Sequence, residues 1–138
     1  MIFGLGQIVM KLLIDTHVFL WLRNSPDKVP KDVLQLYQNS NNVVFLSMAS
    51  IWEMQIKNQL GKLDLDLPLG ELVEQQCLEN ELKILNIEAE HIYALQNLPF
   101  HHSDPFDRLI LSQAQIENLT LASADRIFHQ YDVNLIWK

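Results

Sequence analysis

A chain of 138 residues, of which 49% are hydrophobic, has the size of one domain with a single core and is not mainly disordered. With 10 Lys+Arg against 17 Asp+Glu, the formal net charge is −7, which does not suggest binding to nucleic acid through a basic surface. Nucleic acid is not excluded, because metal-dependent nucleases concentrate acids at their site and contact phosphate through the cation. The single cysteine, Cys77, cannot form an internal disulfide, and we predict a reducing, cytoplasmic setting.

The first residues of the chain are apolar. Residues 2–9 contain two glycines and are too short to span a bilayer, and they lack the positive charge of a secretory signal. We therefore predict no membrane partner. The predicted domain covers residues 10–138. Residues 1–9 are interpreted as an appended or mis-started extension, with an extra edge strand as the alternative.

The first predicted strand, Leu12-Leu13-Ile14, ends at a carboxylate. This brief apolar run without alternation is typical of a buried parallel strand, and it delivers Asp15 before the chain turns into a helix with an apolar body over 18–22. Ligands of open α/β sheets collect outside the carboxyl ends of such strands. A carboxylate near a core must be solvated, paired or bound to a metal, so Asp15 is a candidate site residue. For His17, beside it, we expect local packing.

Helices and strands alternate along the rest of the chain. The predicted helices span 32–40, 48–60, 69–81, 87–98, 107–117 and part of 124–131. The predicted strands span 43–46, part of 83–87, 119–122 and 133–137. Residues 62–67 are predicted to form an extended arm. This alternation predicts an α/β fold, a three-layer α/β/α sandwich around a mostly parallel sheet of four to five strands.

Apolar side chains at helical spacing predict which faces of the helices are buried. The buried positions predicted for the helix over 48–60 are Ile51, Trp52, Ile56 and Leu60. Gly61 is placed to end this helix in a left-handed conformation. In the helix over 87–98 the predicted inward residues are Ile92, Ala94 and Leu95. Trp21 and Trp52 are both interpreted as core residues and not as platforms for stacking bases.

Further acids lie in settings comparable to that of Asp15. Glu53 is near the start of a predicted helix, Asp107 opens another, and Asp125 follows the fourth strand. Like charges only a few ångströms apart repel, and divalent cations are the usual compensation. Mg²⁺ prefers carboxylate oxygens, water and substrate phosphate. Three of these acids also have a structural alternative: a helix cap for Asp15 and Asp125, and stabilisation of the helix dipole for Glu53.

The segment Asp104-Pro105-Phe106-Asp107 is a helix-start sequence. Asp104 fits the N-cap, Pro105 the first helical position and Asp107 the third. An N-cap carboxylate is engaged with backbone N–H groups, so Asp104 has a structural task that Asp107 lacks. Both border the same predicted site.

Other polar residues near these acids have weaker indications. His101 and His102 suggest zinc, but no cysteine partner or suitable histidine spacing supports it, and a solvated loop is preferred. Lys57 and Arg108 are candidate phosphate contacts, with ordinary solvated charge as the alternative.

Four segments together resemble one known family, the PIN domains of the VapC toxin type. The first is Leu13–His17 with Leu20-Trp21, and the second is Ser50–Glu53 with Lys57 and residues 60–63. The third is Asp104–Ile110 with Gln113-Ala114, and the fourth is Leu119–Asp125. The resemblance runs from about Met10 to the end of the chain. Each motif alone is weak, but four in this order are specific.

The resemblance implies a metal-dependent endoribonuclease, the toxin component of a type II toxin–antitoxin system, which hydrolyses RNA with a metal-activated water. The implied ligands of Mg²⁺ or Mn²⁺ are Asp15, Glu53, Asp107 and Asp125. Asp107 fits better than Asp104 because it lies eighteen positions before Asp125, as the third acid of the family precedes the fourth. Ser123 stands where a small hydroxyl residue, more commonly threonine, lies near the metal.

The resemblance also implies partners: an RNA substrate, a small antitoxin protein and a second copy of the chain. Apolar positions over 32–40 and 62–67 are candidates for the dimer surface. Two other functions remain open. One is a scaffold of the same fold that binds without nuclease turnover. The other is a response-regulator-like or phosphatase-like protein that uses Asp15 as a phosphoacceptor.

Overall fold

A single five-stranded sheet forms the centre of the molecule. The computed structural model describes residues 10–137, so the predicted extension at 1–9 lies outside the described residues. The strands are β1 (Lys11–Ile14), β2 (Val43–Ser47), β3 (Lys83–Leu85), β4 (Thr120–Ala122) and β5 (Leu135–Ile136). Their order is β3-β2-β1-β4-β5, and all four pairings are parallel. The prediction of an α/β fold with a parallel sheet is confirmed.

Within residues 10–137, six α-helices connect and cover these strands. They are α1 (Thr16–Asn24), α2 (Lys31–Gln38), α3 (Met48–Gln59), α4 (Leu69–Asn80), α5 (Ala89–Tyr93) and α6 (Pro105–Ile116). Three further segments, Pro26–Lys28, Ala94–Asn97 and Arg126–Gln130, form 3₁₀ turns. The predicted helix over 87–98 is therefore a short α-helix followed by a 3₁₀ turn. None of the described helices is long and apolar enough to cross a membrane.

The two faces of the sheet bury separate apolar clusters. Side chains alternate along β1, so Leu12 and Ile14 pack on one face and Leu13 on the other. The first cluster includes Val18, Val33 and Leu72 from α1, α2 and α4. The second takes residues of α6, among them Ile110 and Leu111. Helices on both faces make the three-layer sandwich that the alternation predicts.

The prediction for the buried face of α3 is wrong at two positions. Trp52 is 57% exposed and Leu60 is 63% exposed. The residues that α3 buries are Ala49, Ser50, Glu53 and Met54. Apolarity alone misplaces this face because the helix turns two polar side chains inward. Glu53 is also the sixth residue of α3, beyond the first turn where the helix dipole acts strongly.

One inward residue of α5 differs from the prediction as well. Ile92 is half exposed, and the neighbouring His91 is fully buried. The His91 imidazole accepts a hydrogen bond from the backbone N–H of Glu88 at the start of the helix, 2.9 Å away. This cap turns the histidine inward and the isoleucine outward. The predicted left-handed end of α3 is confirmed, since Gly61 has a φ of 72°.

Candidate active site

Three strands end together at one edge of the sheet. Ile14 pairs with Leu46 on one side and with Ala122 on the other. The residue that follows Ile14 is Asp15, and Ser123 follows Ala122. The chain order changes direction at β1, since β2 lies on one side of it and β4 on the other. Ligand sites of open α/β sheets lie at such a switch point, outside the carboxyl ends of the strands.

Asp15 is buried at this edge and has two partners. Its Oδ1 accepts a hydrogen bond from the backbone N–H of Val18 (2.9 Å), and its Oδ2 accepts one from the Ser123 hydroxyl (2.5 Å). Asp15 therefore caps α1, as the structural alternative states. Burial raises the pKa of this carboxyl, although the Ser123 and Val18 hydrogen bonds partly oppose the shift. A cation would return the stability that burial of the charge costs.

Glu53 reaches the same region from α3. One carboxylate oxygen accepts a hydrogen bond from the Thr16 hydroxyl at 2.8 Å, and the other lies 2.7 Å from Nζ of Lys57. The Thr16 hydroxyl also lies 2.9 Å from Oγ of Ser50. Thr16 and Ser50 lie in the first and second of the resembling segments, but neither was predicted to be a site residue. They orient a glutamate that is almost completely buried.

The start of α6 confirms the predicted helix-start geometry. Oδ1 of Asp104 accepts hydrogen bonds from the N–H groups of Phe106 (2.8 Å) and Asp107 (3.2 Å), and Pro105 opens the helix. Asp107 does not cap the helix. Burial, together with the charges of Asp104, Glu53 and Asp15, raises the pKa of the Asp107 carboxyl to about 7, against a lowering effect of His102. Several acids therefore act on one carboxyl.

Asp125 is joined to Asp107 through a histidine. Oδ1 of Asp125 accepts a hydrogen bond from the N–H of Ile127, so this residue caps the short 3₁₀ turn that follows it. Its Oδ2 lies 2.8 Å from Nε2 of His102, and the same nitrogen lies 3.1 Å from Oδ2 of Asp107. The prediction that His102 is only a solvated loop residue is wrong, because the ring is buried between the two acids. Its neighbour His101 is exposed.

Three of the predicted acids line one surface cavity. The cavity holds about 300 Å³ and is bordered by Asp15, His17, Trp21, Asp107, Ala124 and Asp125. Its carboxylate oxygens are hard ligands of the kind that Mg²⁺ and Mn²⁺ prefer, so the donor set fits a divalent cation. A larger cavity, of about 440 Å³, lies between the end of α6 and β5. Of the described residues, Asp132 is the one ionisable residue that lines it, so this cavity holds no comparable cluster of charges in the part of the chain that the structure describes.

The two predicted phosphate contacts have different environments. Lys57 keeps a side chain that is 42% exposed next to Glu53, and hydrogen bonding to that glutamate raises the pKa of its ammonium group. Arg108 is buried, and its guanidinium donates to backbone carbonyls of Pro99 (2.9 Å) and Leu98 (3.1 Å). These bonds turn Arg108 away from solvent, which argues against a contact with substrate. Lys57 remains a candidate.

Comparison with known proteins identifies the family. The family model described as PIN domain matches residues 12–134, and the chain therefore belongs to the PIN domain family. No curated protein shows significant sequence similarity to the chain.

Solved structures with the same fold include several toxin–antitoxin complexes. VapBC2 from Rickettsia felis, bound to a DNA fragment from its promoter, has a chain 20% identical with a TM-score of 0.71, covering 94% of this chain and 100% of that one. DNA-bound VapBC from Salmonella typhimurium gives 13% identity and a TM-score of 0.68, covering 93% and 98%. A toxin–antitoxin complex from Klebsiella pneumoniae has a chain 16% identical with a TM-score of 0.61, and the match covers 91% of this chain and 95% of that one. At these identities the likeness shows the fold.

Proposed function

We propose that this PIN domain is an endoribonuclease dependent on Mg²⁺ or Mn²⁺, and that Asp15, Glu53, Asp107 and Asp125 hold the cation. The observation that carries the proposal is the convergence of acids from separate elements at the carboxyl edge of the sheet. Asp15, Asp107 and Asp125 line one cavity there, and the charge of Glu53 acts on Asp107. A cluster of this kind is costly without a cation and suited to one.

The side chains around the acids have supporting tasks. A bound divalent cation supplies a water of lowered pKa and neutralises charge on a phosphodiester. The Ser123 hydroxyl orients Asp15, and the Thr16 hydroxyl orients Glu53. Lys57 offsets the charge of Glu53 from the solvent side, where it is also free to contact a substrate phosphate. The overall charge of −7 fits a nuclease that meets RNA through its cation more than through a basic surface.

Cleavage mapping on total RNA tests the proposal directly. The purified chain is incubated with RNA and Mg²⁺ or Mn²⁺, with and without chelator, and the ends of the products are mapped. Cleavage that requires the metal supports a nuclease. Metal binding without turnover would instead support the scaffold function, in which the acids are kept but no bond is broken. Formation of an acyl phosphate on Asp15 would indicate a phosphoacceptor and would count against the nuclease.

We further propose that the chain is a cytoplasmic toxin that pairs with a small antitoxin and forms a homodimer. The similar folds in toxin–antitoxin complexes support this partner class. An arginine of the antitoxin would suit the acidic cavity, because the guanidinium fork pairs with carboxylates. Light scattering from micromolar to millimolar concentration tests the dimer. A monomer throughout that range contradicts it.

A further inference from the structure

His102 is held in place by contacts that are independent of the acids. Its backbone N–H donates to the Tyr131 hydroxyl at 2.8 Å, and its carbonyl accepts from Nη1 of Arg108 at 3.3 Å. The imidazole packs against the Phe128 ring with centroids 5.3 Å apart. The core of the protein therefore sets the position of this ring at the edge of the acidic cavity.

A backbone N–H selects the tautomer of His102. The N–H of Asp104 points at Nδ1 from 3.2 Å, so Nδ1 presents its lone pair. In the neutral ring the proton is then on Nε2. Nε2 lies 2.8 Å from Oδ2 of Asp125 and 3.1 Å from Oδ2 of Asp107. One N–H group is therefore shared between two carboxylates.

This arrangement argues against His102 as a metal ligand. A histidine that binds a metal usually donates its other ring N–H to a carboxylate, a carbonyl or water. Here the other nitrogen faces a donor, the N–H of Asp104. Coordination through Nε2 would move the proton to Nδ1. The N–H at Nδ1 would then face the backbone N–H of Asp104, and neither group could accept a hydrogen bond from the other. The donor role satisfies both nitrogens without rearrangement.

The shared N–H links two acids that no single element connects. Asp107 lies in the first turn of α6, and Asp125 follows β4. Two carboxylates this close repel each other when both are ionised. A donor placed between their Oδ2 atoms reduces the repulsion and determines the direction of both groups. Loss of the donor would let the carboxylates move apart.

We propose that His102 is a positioning residue that orients Asp107 and Asp125 for the divalent cation without binding the cation itself. The inference rests on the proposed metal centre and assigns to it a residue outside the four acids. Loss of a residue that orients a metal ligand typically reduces metal affinity or activity about 10–100-fold.

Histidine ring ¹⁵N NMR on the wild-type chain tests the role without any substitution. At pH 8 in metal-free buffer we expect His102 to carry its proton on Nε2, and we expect this tautomer to persist when Mg²⁺ is added. A shift of the proton to Nδ1 on Mg²⁺ binding would identify His102 as a ligand and overturn the proposal. If the amide signals around Asp107 and Asp125 respond to neither Mg²⁺ nor Mn²⁺, the proposed metal centre fails, and this role fails with it.

A pair of amide variants tests the position of the donor. The side-chain nitrogen of glutamine is as many bonds from Cβ as Nε2, whereas that of asparagine corresponds to Nδ1. We expect His102→Asn to weaken Mn²⁺ affinity about 10–100-fold and His102→Gln to recover most of it. His101→Ala is the adjacent control, since this ring is exposed and its aromatic contact is with Tyr131, at 5.1 Å between ring centroids. We expect its Mn²⁺ affinity to equal that of the wild type.

Calorimetric Mn²⁺ titration at matched protein concentration reads out these variants, and melting temperatures show that each is folded. Unchanged affinity in His102→Asn, or an equal loss in His102→Gln and His102→Asn, would overturn the positioning role while leaving the metal centre in place. If the wild-type chain does not bind Mn²⁺ under the same conditions, both the metal centre and the positioning role are refuted.

Discussion

Two buried histidines in this molecule make nearly the same hydrogen bonds. His91 accepts from the N–H of Glu88 through Nδ1 and lies 2.8 Å from Oε2 of Glu117 through Nε2. His102 accepts from the N–H of Asp104 through Nδ1 and has carboxylates next to Nε2. In both places, three donor atoms of histidine and acidic residues lie within 4.8 Å of one another. The local chemistry alone does not distinguish them.

Their surroundings do distinguish them. Glu117 caps the far end of α6 and is 38% exposed, and the chain passes from it into the start of β4, away from the carboxyl edge of the sheet. Asp107 and Asp125, beside His102, face the cavity that also exposes Asp15 at the carboxyl edge of the sheet. A histidine–carboxylate bond away from that edge is a structural link. The same bond among several acids at a topological switch point is part of a candidate site. The first and third predictions below separate these two clusters, and the other two concern the acids beside His102.

The largest expected effect is on cleavage. Asp15→Asn removes a central carboxylate and leaves a polar group at the strand end, so RNA cleavage should fall by more than the roughly 10–100-fold typical of losing an outer partner. Glu117→Gln, in the His91 cluster, is the control and should cleave at the wild-type rate. Rates are measured at matched Mg²⁺. Equal cleavage by Asp15→Asn and wild type would remove Asp15 from the site.

The second effect is a dependence of stability on pH. The pKa of Asp107 rises from 3.8 to about 7 on folding. Between these values the folded chain binds a proton that the unfolded chain has released, so the contribution of Asp107 to the free energy of unfolding of the metal-free protein decreases as pH rises from about 4 to about 7. The destabilisation that results from ionising the buried Asp107 carboxyl is fully present above about pH 7 and absent below about pH 4.

Asp107→Asn should remove this dependence. Its stability relative to wild type should grow across that pH window by at most about 4 kcal/mol, because each pKa unit corresponds to about 1.4 kcal/mol. Urea titrations of both proteins at pH 4, 5.5 and 7.5, without metal, measure the difference. A difference that stays constant with pH would show that Asp107 does not titrate in this range.

The third prediction concerns the structural histidine. His91→Ala leaves the N–H of Glu88 without its partner inside the protein, so it should lose about 1–3 kcal/mol of stability. Its Mn²⁺ affinity should equal that of the wild type, unlike that of His102→Asn. Chemical denaturation and calorimetric titration give the two quantities. A weakened Mn²⁺ affinity would mean that the His91 cluster also contributes to metal binding.

The smallest expected change is in stability, and it distinguishes the two acids at the start of α6. Asp104→Ala removes the N-cap and should lose about 0.5–2 kcal/mol of stability while keeping measurable cleavage. Asp107→Asn should instead lose cleavage and metal affinity with little change in melting temperature at acidic pH, where the wild-type carboxyl is protonated. If metal affinity collapses in Asp104→Ala and is preserved in Asp107→Asn, the assignments are reversed.

Local patterns in the sequence are sufficient for much of this molecule. The apolar run before Asp15, the alternation of strands and helices, and the cap formed by Asp104 each depend on residues close together in the chain. Backbone geometry and hydrogen bonding act over that same range, so these features can be predicted without tertiary information. The alternation of strands and helices predicts the parallel sheet. The family resemblance adds which four acids belong together.

Tertiary structure alone decided that Trp52 is exposed and that Glu53 and His102 are buried. Trp52 is exposed because α3 turns Glu53 toward Thr16, a partner 37 positions away in the chain. His101 and His102 are identical in type, yet only the second is buried, with its ring against Phe128 and its backbone held by Tyr131 and Arg108. Residue type gives the preference of a side chain for water, but partners that are distant in the chain determine whether a polar group can be buried with its hydrogen bonds satisfied.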